Sequence, residues 1–231
     1  MVRAQVDKPA PALTASQFAA AVEATLVPLA DPANAAPMAA YMKGHFLFLG
    51  IKTPVRRAAT RTLIRDQHET VVGSAEALWT CPEREYQYVA CDLLAKHAAA
   101  LPASALPKVL ALVTQKSWWD TVDGLAKVAG TIVRNHPKLA ARMDTLATHH
   151  NLWLRRIAIL HQLGAREATD ADRLFRICLA NADDPEFFIR KGIGWALRDY
   201  AYHDARAVRA FLEQHRARLS PLTIREAGKH L

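Results

Sequence analysis

The chain has 231 residues, 51% of them apolar, with 30 Lys plus Arg against 22 Asp plus Glu and hence a formal net charge of +8. That length buries a core and that composition excludes an intrinsically disordered chain. The cationic excess suits a partner made of phosphates, and an odd set of cysteines (Cys81, Cys91, Cys178) without CxxC spacing excludes a disulfide framework and a zinc or iron–sulfur signature.

In chain order, residues 1–13 read as a flexible tail: they carry Pro9 and Pro11 and lack the apolar run of a signal peptide. Residues 14–231 read as a single domain of about a dozen helices joined by short turns. Strand signals are scarce, and no apolar run reaches the length of a membrane span. Helix starts are marked at Thr53-Pro54, where Thr53 would be the N-cap, and at Cys81-Pro82-Glu83. His136-Pro137, Asp184-Pro185 and Ser220-Pro221 repeat the pattern, and Gly50, Gly130 and Gly164 stand where helices are expected to stop. The expected fold class is therefore all-α.

An internal repeat organises these helices. The segments REYQYVACDLLAKH, SWWDTVDGLAKVAG, NLWLRRIAILHQLG and EFFIRKGIGWALRD align so that Tyr86, Trp119, Trp153 and Phe188 share one column, in steps of 33, 34 and 35 residues. A two-helix unit recurring at that period is the signature of a helical solenoid, whose units bury their faces by stacking.

The register then isolates a few side chains. Asp123 lies one turn from Trp119, and its column otherwise holds Ala90, Ile157 and Gly192. A carboxylate in a small or apolar column must be paired or functional. Trp195 likewise interrupts a column of Leu93, Ala126 and Leu160. Arg155, Arg156, Arg190, Lys191 and Arg198 fall in the same two later units, where a basic concave face would follow a phosphate backbone. There is no Gly-rich phosphate loop, GxSxG or HExxH, and His149-His150 has poor metal-ligand spacing, so neither a cofactor nor a metal site is expected.

The segments MAAYMKGHFLFLGIKTPVRR, LWTCPEREYQ, KSWWDTVD, NLWLRRIAIL, EFFIRKGIGWALRDY and LSPLTIREAGKHL, in that order from Pro37 to Leu231, resemble the AlkD-type DNA alkylation repair enzymes. These are HEAT-like repeat alkylpurine DNA glycosylases. The resemblance implies a HEAT-like α-solenoid acting as a monomer on double-stranded DNA, cytoplasmic and nucleoid-associated in a bacterium, with no membrane and no obligate protein partner. It places the catalytic aspartate on Asp123 and the two pocket tryptophans on Trp119 and Trp195. The tyrosine of the first motif falls on Tyr41. DNA-contacting positions fall on Thr53, Arg57, Arg156 and Arg198, with Lys52 beside Thr53 and with Arg190 and Lys191 joining them from the basic cluster. The activity implied is base excision repair: removal of N3- and N7-alkylated purines, such as 3-methyladenine and 7-methylguanine, to leave an abasic site.

Overall fold

The computed structural model describes residues 13–231, so the expected tail lies almost wholly outside the described residues. Thirteen α-helices and five short 3-10 turns make up the described residues, whose only pairing of strand type is an isolated bridge between Leu47 and Glu83. The fold is all-α, and no helix among them is long and apolar enough to cross a membrane. The described residues fall into two compact units, dividing between Lys96 and His97 at the end of a helix.

The first unit holds α1 (Ala15–Leu26), α2 (Pro32–Tyr41), α3 (Thr53–Asp66), α4 (Val71–Thr80) and α5 (Arg84–His97). α1 opens on a capping box between Thr14 and Gln17 and buries Phe18, Val22 and Leu26 against α3 and α4. The buried Gln67 amide fixes the entry to α1, accepting from the Leu13 N–H at 3.2 Å and donating to the Leu13 carbonyl at 2.8 Å.

The link from α2 to α3 is held from α5. Glu85, fully buried, accepts hydrogen bonds from the backbone N–H groups of Leu49, Gly50 and Ile51 at 3.0, 2.9 and 3.0 Å. Gly50 lies at φ +88°, and a Cβ there would stand 2.0 Å from the Asp31 carbonyl oxygen, so this glycine serves a close loop crossing and ends no helix. α3 starts one residue earlier than expected: Lys52 is the N-cap, Thr53 is the first helical residue, and no side chain caps it.

The second unit is a stack of four helical hairpins: α6 (Ala105–Val113) with α7 (Trp119–Asn135), α8 (Ala140–Leu146) with α9 (Leu152–Leu160), α10 (Ala171–Ala180) with α11 (Phe187–Ala201), and α12 (Ala205–Gln214) with α13 (Pro221–Ala227). The second helices begin at Trp119, Leu152, Phe187 and Pro221, 33, 35 and 34 residues apart, and pack in the order α7, α9, α11, α13. Ser220 caps α13 as its sequence predicts, accepting from the Thr223 N–H.

Gly130 does not stop its helix: α7 continues to Asn135. A Cβ at Gly130 would stand 1.7 Å from the His161 carbonyl oxygen, so its role is to let α7 lie directly on the end of α9. Gly164, at φ +74°, does occupy the turn after α9.

Candidate functional site

Three consecutive helices of the stack meet at one buried guanidinium. Asp123, on α7, receives two hydrogen bonds from Arg156 of α9, from Nε to Oδ1 at 2.7 Å and from Nη2 to Oδ2 at 3.0 Å. The remaining nitrogen, Nη1, donates to the Phe188 carbonyl of α11. Arg156 reaches that far because residue 192 is glycine: a Cβ there would lie 3.0 Å from Nη1. The small residue in the Asp123 column thus makes room for the partner of the aspartate.

Exposure in this pair is uneven. The Arg156 side chain is 4% exposed and that of Asp123 17%, so the carboxylate is the partner turned toward solvent. Bidentate, charge-assisted geometry fixes its plane. The result is an oriented anion at the surface of a stacked array of helices.

The aromatic column differs from its expected register by one residue. Trp118, Trp153 and Phe188 form a mutual cluster, with ring centroids 5.8, 5.1 and 5.1 Å apart. Trp118 is the N-cap of α7, so the stacking aromatic of this hairpin precedes the helix. Trp119 is the first helical residue, half-buried, on the helical face it shares with Asp123 one turn on.

On α11, Lys191, Trp195 and Arg198 follow at spacings of four and three, which places them along one stripe. Trp195 is half-buried and Lys191 exposed. Arg198 donates to Glu226 of α13 at 3.3 Å. Arg190 points elsewhere, its Nε donating to the Asp184 carbonyl at 2.7 Å. Asp184 also takes two hydrogen bonds from Arg155, which in addition donates to the His149 and His150 carbonyls, so Arg155 ties down the loops before α9 and α11.

In the first unit, Tyr41 ends α2 and is 71% exposed, and Lys52 and Thr53 open α3 on the surface. Arg57 is paired with Asp92, donating from Nη2 at 2.9 Å, and Arg56 donates to the same carboxylate from the buried side at 3.1 Å. No group of three or more His, Cys, Asp or Glu side chains able to hold a metal ion occurs among the described residues.

Sequence reasoning passes over Trp118, Glu85 and Glu226. The adjacent tryptophans left the aromatic register ambiguous by one. Ser220-Pro221, one repeat after Phe187, is the signal that could have placed Glu226 in a fourth hairpin.

A family model described as DNA alkylation repair enzyme matches residues 22–231. A solved structure, a predicted DNA alkylation repair enzyme from Enterococcus faecalis, superposes with a TM-score of 0.81 at 36% identity, covering 87% of this chain and 96% of that one. No curated protein matches.

Proposed function

The chain belongs to the DNA alkylation repair enzyme family, and on that premise we propose that it is a monofunctional DNA glycosylase that excises N3- and N7-alkylated purines from duplex DNA. The observation that carries the reading is the Asp123 carboxylate, oriented by a buried bidentate arginine and sharing a helical face with Trp119. A site of this kind stabilises a cation that forms beside it.

The substrate chemistry supplies such a cation. Alkylation at N3 or N7 places positive charge on the purine. When the C1′–N bond breaks, its electron pair goes to the base, which departs neutral, and the charge passes to the sugar as an oxocarbenium-like centre. Water then adds to C1′ and gives up a proton. A fixed carboxylate about 4 Å from the sugar, at an effective dielectric of about 20, contributes roughly 4 kcal/mol, which is on the order of a thousandfold in rate. Arg156 offsets part of this because its charge lies behind the carboxylate. In return, the fixed plane of the anion costs no reorganisation during the reaction. Trp119 and Trp195 contribute about 0.5–2 kcal/mol each through cation–π contact with the charged sugar. Since the leaving base is already activated, no lysine nucleophile is needed.

The expected product is therefore free alkylated base and an intact strand bearing an abasic site. Incubation with a duplex carrying a single N7-methylguanine, followed by chromatography of the released base and a denaturing gel before alkali, tests this. Strand cleavage without alkali contradicts monofunctional chemistry.

A second reading, a DNA-binding protein without catalysis, is favoured by one observation: both Asp123 oxygens are engaged by Arg156, as in a purely structural ion pair. Duplex binding that weakens steeply with salt, without base release from any cationic purine, would select that reading.

A further inference from the structure

We propose that Glu226 and Lys229, contributed by the last hairpin, complete a phosphate clamp beside Trp195, in which Glu226 positions Arg198 and Lys229 to grip the backbone of the bound duplex. The proposal rests on the DNA-binding part of the reading above and adds a site to it.

The clamp starts from a glycine. Gly194 lies on α11 next to Trp195, and a Cβ there would come within 2.5 Å of the Glu226 Cβ and 2.9 Å of the Thr223 carbonyl oxygen. Only glycine lets α13 settle this closely on α11. The contact is fastened by the Thr223 hydroxyl, which donates to the Arg190 carbonyl at 2.9 Å. Glu226, 8% exposed, thereby reaches the stripe that carries Lys191, Trp195 and Arg198.

There its carboxylate gathers cations rather than neutralising them. Oε2 accepts from Arg198 Nη1 at 3.3 Å and Oε1 from Lys229 Nζ at 2.8 Å. The Lys229 hydrogen bond above all, with the charges of Arg198 and Lys191, holds the Glu226 carboxyl below the usual carboxylate range. Three cations thus face one nearly buried anion. An ammonium has three donors and a guanidinium five, so each keeps donors for another acceptor. The Lys229 side chain is 45% exposed and that of Arg198 22%, against 10% for the glutamate, so the positive groups are the accessible ones. A compact anion with several acceptor oxygens meets these requirements, and a duplex presents one in each backbone phosphate.

The test is binding of the full chain to an undamaged oligonucleotide duplex across a salt series. Lys229→Ala is expected to lower the log–log salt slope by about one. Glu226→Gln gives an opposition of signs: removing a negative charge strengthens binding if only net charge matters, whereas loss of positioning weakens it, here by about threefold to tenfold at fixed salt. In the Arg198→Ala/Lys229→Ala background the same substitution should no longer weaken binding, while a merely structural lesion would weaken it in both backgrounds. An unchanged slope for Lys229→Ala, or unchanged or tighter binding by Glu226→Gln in the otherwise native chain, overturns the clamp. Because the readout uses undamaged DNA, a wild type that binds but excises nothing sinks the glycosylase reading alone. A wild type without salt-dependent binding sinks the DNA-binding premise.

Discussion

Under the proposed reaction, Asp123 answers two requirements with one side chain: a carboxylate in a packed column needs a counter-ion, and a charged transition state needs an anion that stays where it is put. Arg156 meets the first through two hydrogen bonds and, being the more buried partner, leaves the second available at the surface. From sequence, Arg156 reads as a phosphate contact, but the structure turns its guanidinium toward Asp123 and the Phe188 carbonyl. We therefore assign it a positioning role. Asp123→Asn sets an amide N–H₂ against guanidinium N–H groups and leaves a buried cation without its counter-ion. The expected loss is about 2 kcal/mol, below the range for fully buried pairs because Asp123 is partly exposed. Thermal melting should fall by about 4–8 °C while staying cooperative. Gly192→Ala probes the same pair from α11. Its Cβ presses on Nη1, and a shift of a few tenths of an ångström in the guanidinium is expected to slow excision about tenfold. Stability should barely change, since alanine is also the better helix former by about 1 kcal/mol. Single-turnover rates beside a melting curve separate the two effects.

At the scale of elements, the hairpin stack was legible because its period survives in the sequence: one aromatic column recurs at intervals of 33, 34 and 35 residues, and the second helices of the stack begin at the same thirty-odd spacing. What the period could not give is the contact between helices. Gly130 carries the outward mark of a helix stop, yet it sits inside α7 because the His161 carbonyl occupies the space a side chain would need. A single sequence does not distinguish a glycine chosen for its φ from one chosen for its missing Cβ. Gly130→Ala is accordingly expected to cost about 3 kcal/mol or more, since backbone, unlike a flexible side chain, cannot move aside. Chemical denaturation against wild type checks this. Glu85 shows the same limit. An acid in an amphipathic helix reads as a solvated face, and only the structure reveals it as the buried acceptor for the loop ahead of Lys52 and Thr53. Glu85→Gln offers those N–H groups a weaker, neutral acceptor and should speed amide exchange at residues 49–51, as measured by hydrogen exchange.

For the whole molecule, the charge of +8 is spent unevenly. Arg155, Arg156 and Arg173 are held by Asp184, Asp123 and Asp144, whereas Lys191 is exposed on the Trp195 stripe. The composition alone could not separate cations that hold the fold together from those offered to a partner, and several arginines that read as a basic face prove to be internal ties. Acid sensitivity is also global. Burial pushes the His161 imidazole down to about 4, opposed by its donation from Nδ1 to the Ala158 carbonyl at 2.7 Å. The unfolded chain, with histidine near its ordinary value of about 6.5, binds this proton first. Stability is then complete above pH 6.5 and is lost as pH falls toward 4, by about 3 kcal/mol. His161→Gln should flatten the melting profile between pH 6.5 and 5, above the range in which ordinary carboxylates titrate.

The central claim is that the Asp123 carboxylate drives excision of a cationic purine, and a single-turnover assay on a duplex carrying one N7-methylguanine, developed with mild alkali, tests it most directly. The account predicts alkali-dependent cleavage by the wild type and loss of that product in Asp123→Asn, at a temperature where the variant is folded and still binds the duplex. Excision by Asp123→Asn at the wild-type rate would contradict it.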